Sequence, residues 1–177
     1  KYSYTQQIIP TVALGSEAHD FSALAVQYQS SQAETRNIEI YLAHVPNNST
    51  LANGWILPDA NANIEFIQVF SGTTTFSNSE EGHWHEINLS TPFSYNGTDN
   101  ILVIFNDLTG SYTGSRYFYC HTDSTTTHMA RYTYRDASSY NPLNPSENGT
   151  LESMVNNLKF IYCDMSDCIR PNTLATT

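Results

Sequence analysis

The amino-acid sequence predicts an all-β protein, an antiparallel two-sheet β-sandwich of jelly-roll type, and three observations carry that expectation. Of the 177 residues, 56 are Ser, Thr or Asn, short polar side chains that compete with a helical backbone for its hydrogen bonds. Apolar and polar residues alternate with the period of two that puts one face of a strand into a core. The apolar runs are short and separated by turn-forming clusters, the spacing of antiparallel sheets rather than of βαβ units.

Taken in chain order, strands are expected over residues 2–9, 21–28, 37–44, 64–70, 73–76, 84–89, 101–106, 117–120, 131–134 and 158–162. The clearest alternation is in Phe21-Ser-Ala-Leu-Ala-Val-Gln-Tyr28 and Asn37-Ile-Glu-Ile-Tyr-Leu-Ala-His44. Turn chemistry stands between the strands in Asn47-Asn48-Ser49-Thr50, Asn96-Gly97-Thr98-Asp99 and Asn141-Pro142-Leu143-Asn144-Pro145. No stretch of ten residues has helical periodicity, and no fixed repeat is visible. One domain over residues 1–165 is expected, with residues 166–177, polar and containing Pro171, as a linker toward a following domain.

Charge removes several partners. Seven Lys and Arg face seventeen Asp and Glu, a formal net charge of −10, so a phosphate backbone or an anionic membrane surface would be repelled. The longest apolar run, Ile101-Leu102-Val103-Ile104-Phe105, is far too short to span a bilayer. Neither a nucleic-acid partner nor membrane insertion is expected. Cys120, Cys163 and Cys168 cannot all pair within the chain: a short Cys163–Cys168 disulfide and three free thiols both fit.

The chemistry-bearing residues concentrate between positions 112 and 140. Tyr112, Tyr117, Tyr119, Tyr132, Tyr134 and Tyr140 are interleaved there with Arg116, Arg131, Arg135, His121, Asp123 and Asp136. Sugar rings have flat C–H faces, so a polysaccharide binder needs aromatic rings for stacking and charged or amide groups for the hydroxyls. In an extended chain Tyr117 shares a face with Tyr119 and Tyr132 with Tyr134, and a hairpin between the two segments would bring all four together. The candidate ligand-binding residues are therefore Tyr112, Tyr117, Tyr119, Asp123, Arg131, Tyr132, Tyr134 and Arg135, with Trp55 after the Asn53-Gly54 turn as an additional exposed aromatic.

Other chemistry finds less support. His83 and His85, with Glu81 or His121, offer metal ligands without a complete site. Asp59-Ala-Asn61-Ala-Asn63 begins like an EF-hand loop, but Ile64 replaces the required Gly and Phe70 the bidentate Glu. Asn96, Asp99, Asn106 and Asp107 provide oxygens that leave room for a structural calcium, and they are also ordinary turn residues. Gly110-Ser-Tyr-Thr-Gly114 has Tyr112 where a nucleophile elbow needs Ser, and neither HExxH nor a P-loop occurs. No enzyme is expected.

Several segments together resemble a jelly-roll module of large secreted and surface proteins of Bacteroidetes, commonly followed by fibronectin type III repeats. They are Tyr4-Thr-Gln-Gln-Ile-Ile9, Thr35-Arg-Asn-Ile-Glu-Ile-Tyr-Leu42, Val69-Phe-Ser-Gly72, Thr91-Pro-Phe-Ser-Tyr-Asn-Gly97, Asn100-Ile-Leu-Val-Ile104 and Asn106-Asp-Leu-Thr-Gly-Ser-Tyr112. His83-Trp84-His85-Glu86 departs from the pattern, where such modules have Gly-Trp and a Thr-rich strand. The resemblance implies an extracellular or cell-surface location and an accessory role. Two functions follow as expectations. One is a monomeric, non-catalytic module that binds a polysaccharide or surface glycan beside neighbouring domains of the same chain. The other is a protein-binding adhesion or spacer domain of a surface adhesin.

Overall fold

The structure is a computed structural model, and it describes residues 1–79, 81–112, 114, 116–122 and 129–162, with the side chain of Glu81 left aside. Asp123, Cys163, Cys168 and the expected linker at 166–177 lie outside the described residues. Eleven strands run in order: β1 (Tyr2–Ile9), β2 (His19–Gln27), β3 (Glu34–Val45), β4 (Ile67–Phe76), β5 (Trp84–Tyr95), β6 (Asn100–Asp107), β7 (Cys120–Thr122), β8 (Ala130–Arg135), β9 (Thr150–Glu152), β10 (Met154–Asn156) and β11 (Leu158–Tyr162). A single helical turn, α1 (Thr11–Leu14), is the one α-helix among the described residues. The protein is all-β, and among the described residues all strand pairs are antiparallel.

Six strands form the large sheet in the order β4-β3-β6-β1-β8-β9, three form a smaller sheet in the order β11-β2-β5, and β10 pairs with β7. Strand β6 sits between β3 and β1, and its five-residue apolar run is explained by burial on both faces. Ile101 and Val103 join a core with Leu24 and Val26 of β2, Ile38, Ile40 and Leu42 of β3, and Ile87 and Phe93 of β5. That core lies between the two larger sheets. Leu102 and Ile104 point the other way, into a second core with Tyr4 and Ile8 of β1 and Tyr41, Ala43 and Val45 of β3. Val155 of the short strand β10 joins this second core. Leu51, Trp55, Ile56 and Tyr140, from the long connections β3–β4 and β8–β9, close it.

Several expected boundaries shift for physical reasons. The runs 64–70 and 73–76 are one strand, β4, because Ser71 and Gly72 stay extended and paired to Glu39 and Ile38. Strand β5 runs on through Pro92, which has no N–H to donate. It does so because the pairing with β2 jumps from Phe93 opposite Phe21 to Asn88 opposite Ala23, so Pro92 sits in a bulge on an edge strand. Strands β9 and β10 are too short to leave a periodic signal.

The expected hairpin between residues 117–119 and 132–134 does not form. Phe118 bridges to Tyr28, β7 pairs with β10, and β8 lies between β1 and β9. Phe118 turns inward against Tyr28 and Phe76, with ring centroids 5.2 and 5.1 Å away. Tyr132 and Tyr134 are thus carried by β8, whereas Tyr117 and Tyr119 lie ahead of β7, on either side of the isolated Phe118 bridge.

Candidate functional site

Residues directly opposite one another across an antiparallel pair share a face of the sheet. Strand β8 lies against β1 with Tyr134 opposite Ser3, Thr133 opposite Tyr4, Tyr132 opposite Thr5 and Arg131 opposite Gln6. Arg131, Thr133 and Arg135 therefore face the second core together with Tyr4 and Gln6. Tyr132 and Tyr134 face the opposite side with Ser3 and Thr5, and through β1 with Phe105 and Asp107 of β6.

On the closed side, polar groups are spent on holding loops. The Gln6 amide is fully buried. It donates to Tyr4 Oη (2.9 Å) and the Ile56 carbonyl (2.8 Å) and accepts from the Ile56 N–H (2.9 Å). Arg131, 8% exposed, donates from Nε and one terminal nitrogen to the Leu51 carbonyl (3.0 and 2.7 Å) and reaches the carbonyls of Ala52, Asn148 and Gly149. Trp55 stands edge-on to Tyr4, with centroids 5.0 Å apart, and donates its indole N–H to the Glu147 carbonyl. Gly149 has φ +63°, and a Cβ there would overlap the Trp55 ring, so glycine is required twice over. Arg135 lies 4.1 Å over the Tyr140 ring and donates to the carbonyls of Ser138 and Ser139. Trp55, Arg131 and Arg135 are thus structural in what they touch.

Glu147 completes this side. Thr133 Oγ1 (2.8 Å) and Tyr140 Oη (3.0 Å) donate to it, and these bonds, with Arg135 nearby, hold its carboxyl below the usual glutamate range. Burial pushes the Tyr140 hydroxyl up.

The opposite side is partly exposed along β8. Tyr132 and Tyr134 lie there with ring planes 8° apart and centroids 6.5 Å apart, and Tyr134 is 71% exposed. Beside Tyr132 runs a groove. One part, of about 280 Å³, has Val26, Tyr28, Ile38, Phe76, Phe105 and Phe118 at its base, with Ser3, Thr5 and Asn156 among its polar lining. A second part, of about 180 Å³, shares Thr5 and Asn156 and is bordered by Tyr132, Cys120, Glu152 and Met154. At the rim Arg36 pairs with Glu34 (3.0 Å) and Asp107 (3.4 Å), and Arg116 pairs with Glu34 (3.5 Å) and donates to Gln32 Oε1 (2.7 Å). Two guanidinium groups thus meet two carboxylates. The Cys120 thiol is pushed up, first by burial and then by the Glu152 charge, so it stays protonated at neutral pH.

Tyr117 and Tyr112 are exposed, and Tyr119 is half-buried with its ring 5.8 Å from His83. Tyr117 and Tyr119 flank the inward-turned, groove-lining Phe118. Sequence reasoning missed Ser3, Thr5, Glu34, Arg36 and Asn156, and offered Asp107 only as an oxygen ligand for calcium. The hydroxyls at alternate positions of β1 were the available signal. His83 and His85 part company: His83 follows Gly82 with φ +62°, while His85 Nε2 lies 2.8 Å from Thr74 Oγ1 against the Phe76 ring. Among the described residues, no group of three or more His, Cys, Asp or Glu side chains is arranged to hold a metal ion. Asn96, one of the candidate calcium ligands, instead bonds Asp99 and caps its own turn.

Comparison of the chain with protein-family models, with curated proteins and with solved structures returns no match.

Proposed function

We propose that this chain is a non-catalytic carbohydrate-binding accessory module of a secreted or cell-surface multidomain bacterial protein, acting as a monomer. In this reading the six-stranded and three-stranded sheets are the two layers of a jelly-roll sandwich, and the ligand lies along the partly exposed side of β8. The observation that carries it is the pair of near-parallel rings at Tyr132 and Tyr134, of which Tyr132 borders the groove. A glycan would stack its C–H faces on these rings, and Ser3, Thr5 and Asn156 would meet its hydroxyls. Tyr117, next to the groove-lining Phe118, adds a further exposed ring. No helix among the described residues is long and apolar enough to cross a membrane.

Affinity electrophoresis against plant, algal and host polysaccharides tests this reading. Retardation by one polymer class, weakened at least severalfold by Tyr134→Ala in a protein that remains folded, supports it. No retardation by any polymer overturns it in favour of a protein-binding adhesion domain.

A further inference from the structure

We infer that the groove takes an uncharged glycan carrying a short apolar substituent, such as the methyl of an acetamido group or of a 6-deoxy sugar. The inference rests on the carbohydrate reading and narrows it through two independent observations.

The first is the distribution of cations. Recognition of a uronate or sulfate ester needs a guanidinium or ammonium group available to the ligand. Among the described residues, Arg36 and Arg116 are engaged by Glu34, Asp107 and Gln32. Arg131 serves the loop carbonyls of the closed side, and Arg135 lies against Tyr140 and 3.7 Å from Glu147. Lys1, whose α-amino group pairs with Asp136, lines neither part of the groove, and Lys159 lies 4.0 Å over the Trp84 ring, on the smaller sheet. The net charge of −10 repels an anionic polymer further.

The second is the shape and chemistry of the cavity next to the tyrosines. Thr5 lies opposite Tyr132 on one side and Phe105 on the other, so the cavity begins one strand away from the rings and on the same face. At about 280 Å³ it falls below the roughly 300–1,000 Å³ of a site for a drug-sized ligand. Four aromatic rings and two aliphatic side chains make up its apolar base, and Ser3, Thr5, Asn156 and the mutually paired Glu34, Arg36, Asp107 and Arg116 line the remainder. A sugar hydroxyl pushed into that base would lose its hydrogen bonds without replacement. A methyl group would gain by leaving water. A sugar stacked on Tyr132 and Tyr134 can therefore direct one apolar substituent past Ser3 and Thr5 into the cavity, with its ring hydroxyls left at the rim.

Isothermal titration of the folded domain with four probes tests the inference: N-acetylglucosamine oligomers, neutral fucosyl oligomers, unsubstituted gluco-oligosaccharides and oligogalacturonate. The expected result is that one of the first two binds about fourfold more tightly than the unsubstituted oligomer, the worth of one buried methyl, and that oligogalacturonate does not bind. Which of the two binds identifies the substituent. Ser3→Leu, which fills the cavity from its edge, should abolish the preference while leaving weak binding of the unsubstituted oligomer; Thr5→Val, which removes a rim hydroxyl with almost no change in volume, leaves the cavity open and should leave the preference in place. Equal binding of substituted and unsubstituted neutral oligomers, or binding of oligogalacturonate, overturns this inference and leaves the carbohydrate reading standing. No heat with any sugar overturns both.

Discussion

Strand β8 carries two unlike surfaces on one backbone. At Arg131, Thr133 and Arg135 its side chains face the second core and are occupied by loop carbonyls and by Glu147. At Tyr132 and Tyr134, one residue out of step, they lie on the partly exposed side, where Tyr132 borders the groove. The difference shows that residue type alone does not mark a binding surface. Arg131 and Trp55 have the chemistry of ligand contacts and are consumed by the fold, because the loops above them are long, polar and in need of donors. The period of two separates anchoring from recognition.

The largest expected effect is on the closed side. Trp55→Ala removes the ring that Tyr4, Gly149 and Arg131 surround and should cost about 4 kcal/mol in stability, measured by urea denaturation. Arg131→Ala leaves the carbonyls of Leu51, Ala52 and Asn148 without their donor, for a loss of about 3 kcal/mol. Tyr134→Ala inverts the pattern: about 0.5 kcal/mol or less in stability, as for an exposed side chain, and about tenfold weaker glycan binding from the lost stacking surface. If Tyr134→Ala unfolded the domain, or Trp55→Ala left its stability unchanged, the contrast between the two faces would be lost.

Acid provides a smaller and graded test. His44 Nε2 accepts the Asn96 N–H, and burial lowers its pKa from the ordinary 6.5, so the folded state holds the ring neutral. Glu147 is lowered from 4.5 by the bonds from Thr133 and Tyr140. Both folded values lie below the unfolded ones, so the unfolded chain binds more protons and stability falls as pH falls. The His44 contribution starts to fade near pH 6.5 and the Glu147 contribution near pH 4.5, each lost through the group's lowered folded value. Denaturation midpoints against pH check this: Glu147→Gln should flatten the lower window and leave the upper one intact.

Much of the strand content was legible because alternation is a local property. Ile38, Ile40 and Leu42 against Tyr41, Ala43 and Val45 can be read off β3 without knowing its neighbours. Pairing is not local. The tyrosines of 117–119 and 132–134 look like hairpin partners, yet residues 28 and 154–156 take the first pair's neighbourhood and β1 and β9 flank the second. The second core was hidden for the same reason. Its cover comes from segments whose turn-rich composition gives no sign that Leu51, Trp55 and Tyr140 reach inward. The exposed rings of Tyr112, Tyr117 and Tyr134 fit the aromatic surface that the composition suggests, whereas Ser3 and Thr5 reach the groove only through the register of β1.

The closed face has a consequence for synthesis. Its clasps join residues 80 and 92 positions apart, Leu51 to Arg131 and Trp55 to Glu147. A ribosome delivers Tyr41, Leu102 and Ile104 well before Arg131 and Glu147 emerge, and contacts between such distant positions form late because closing the loop costs chain entropy. During that interval Leu51 and Trp55, already made, lack the partners that hold their loop over Tyr41, Leu102 and Ile104.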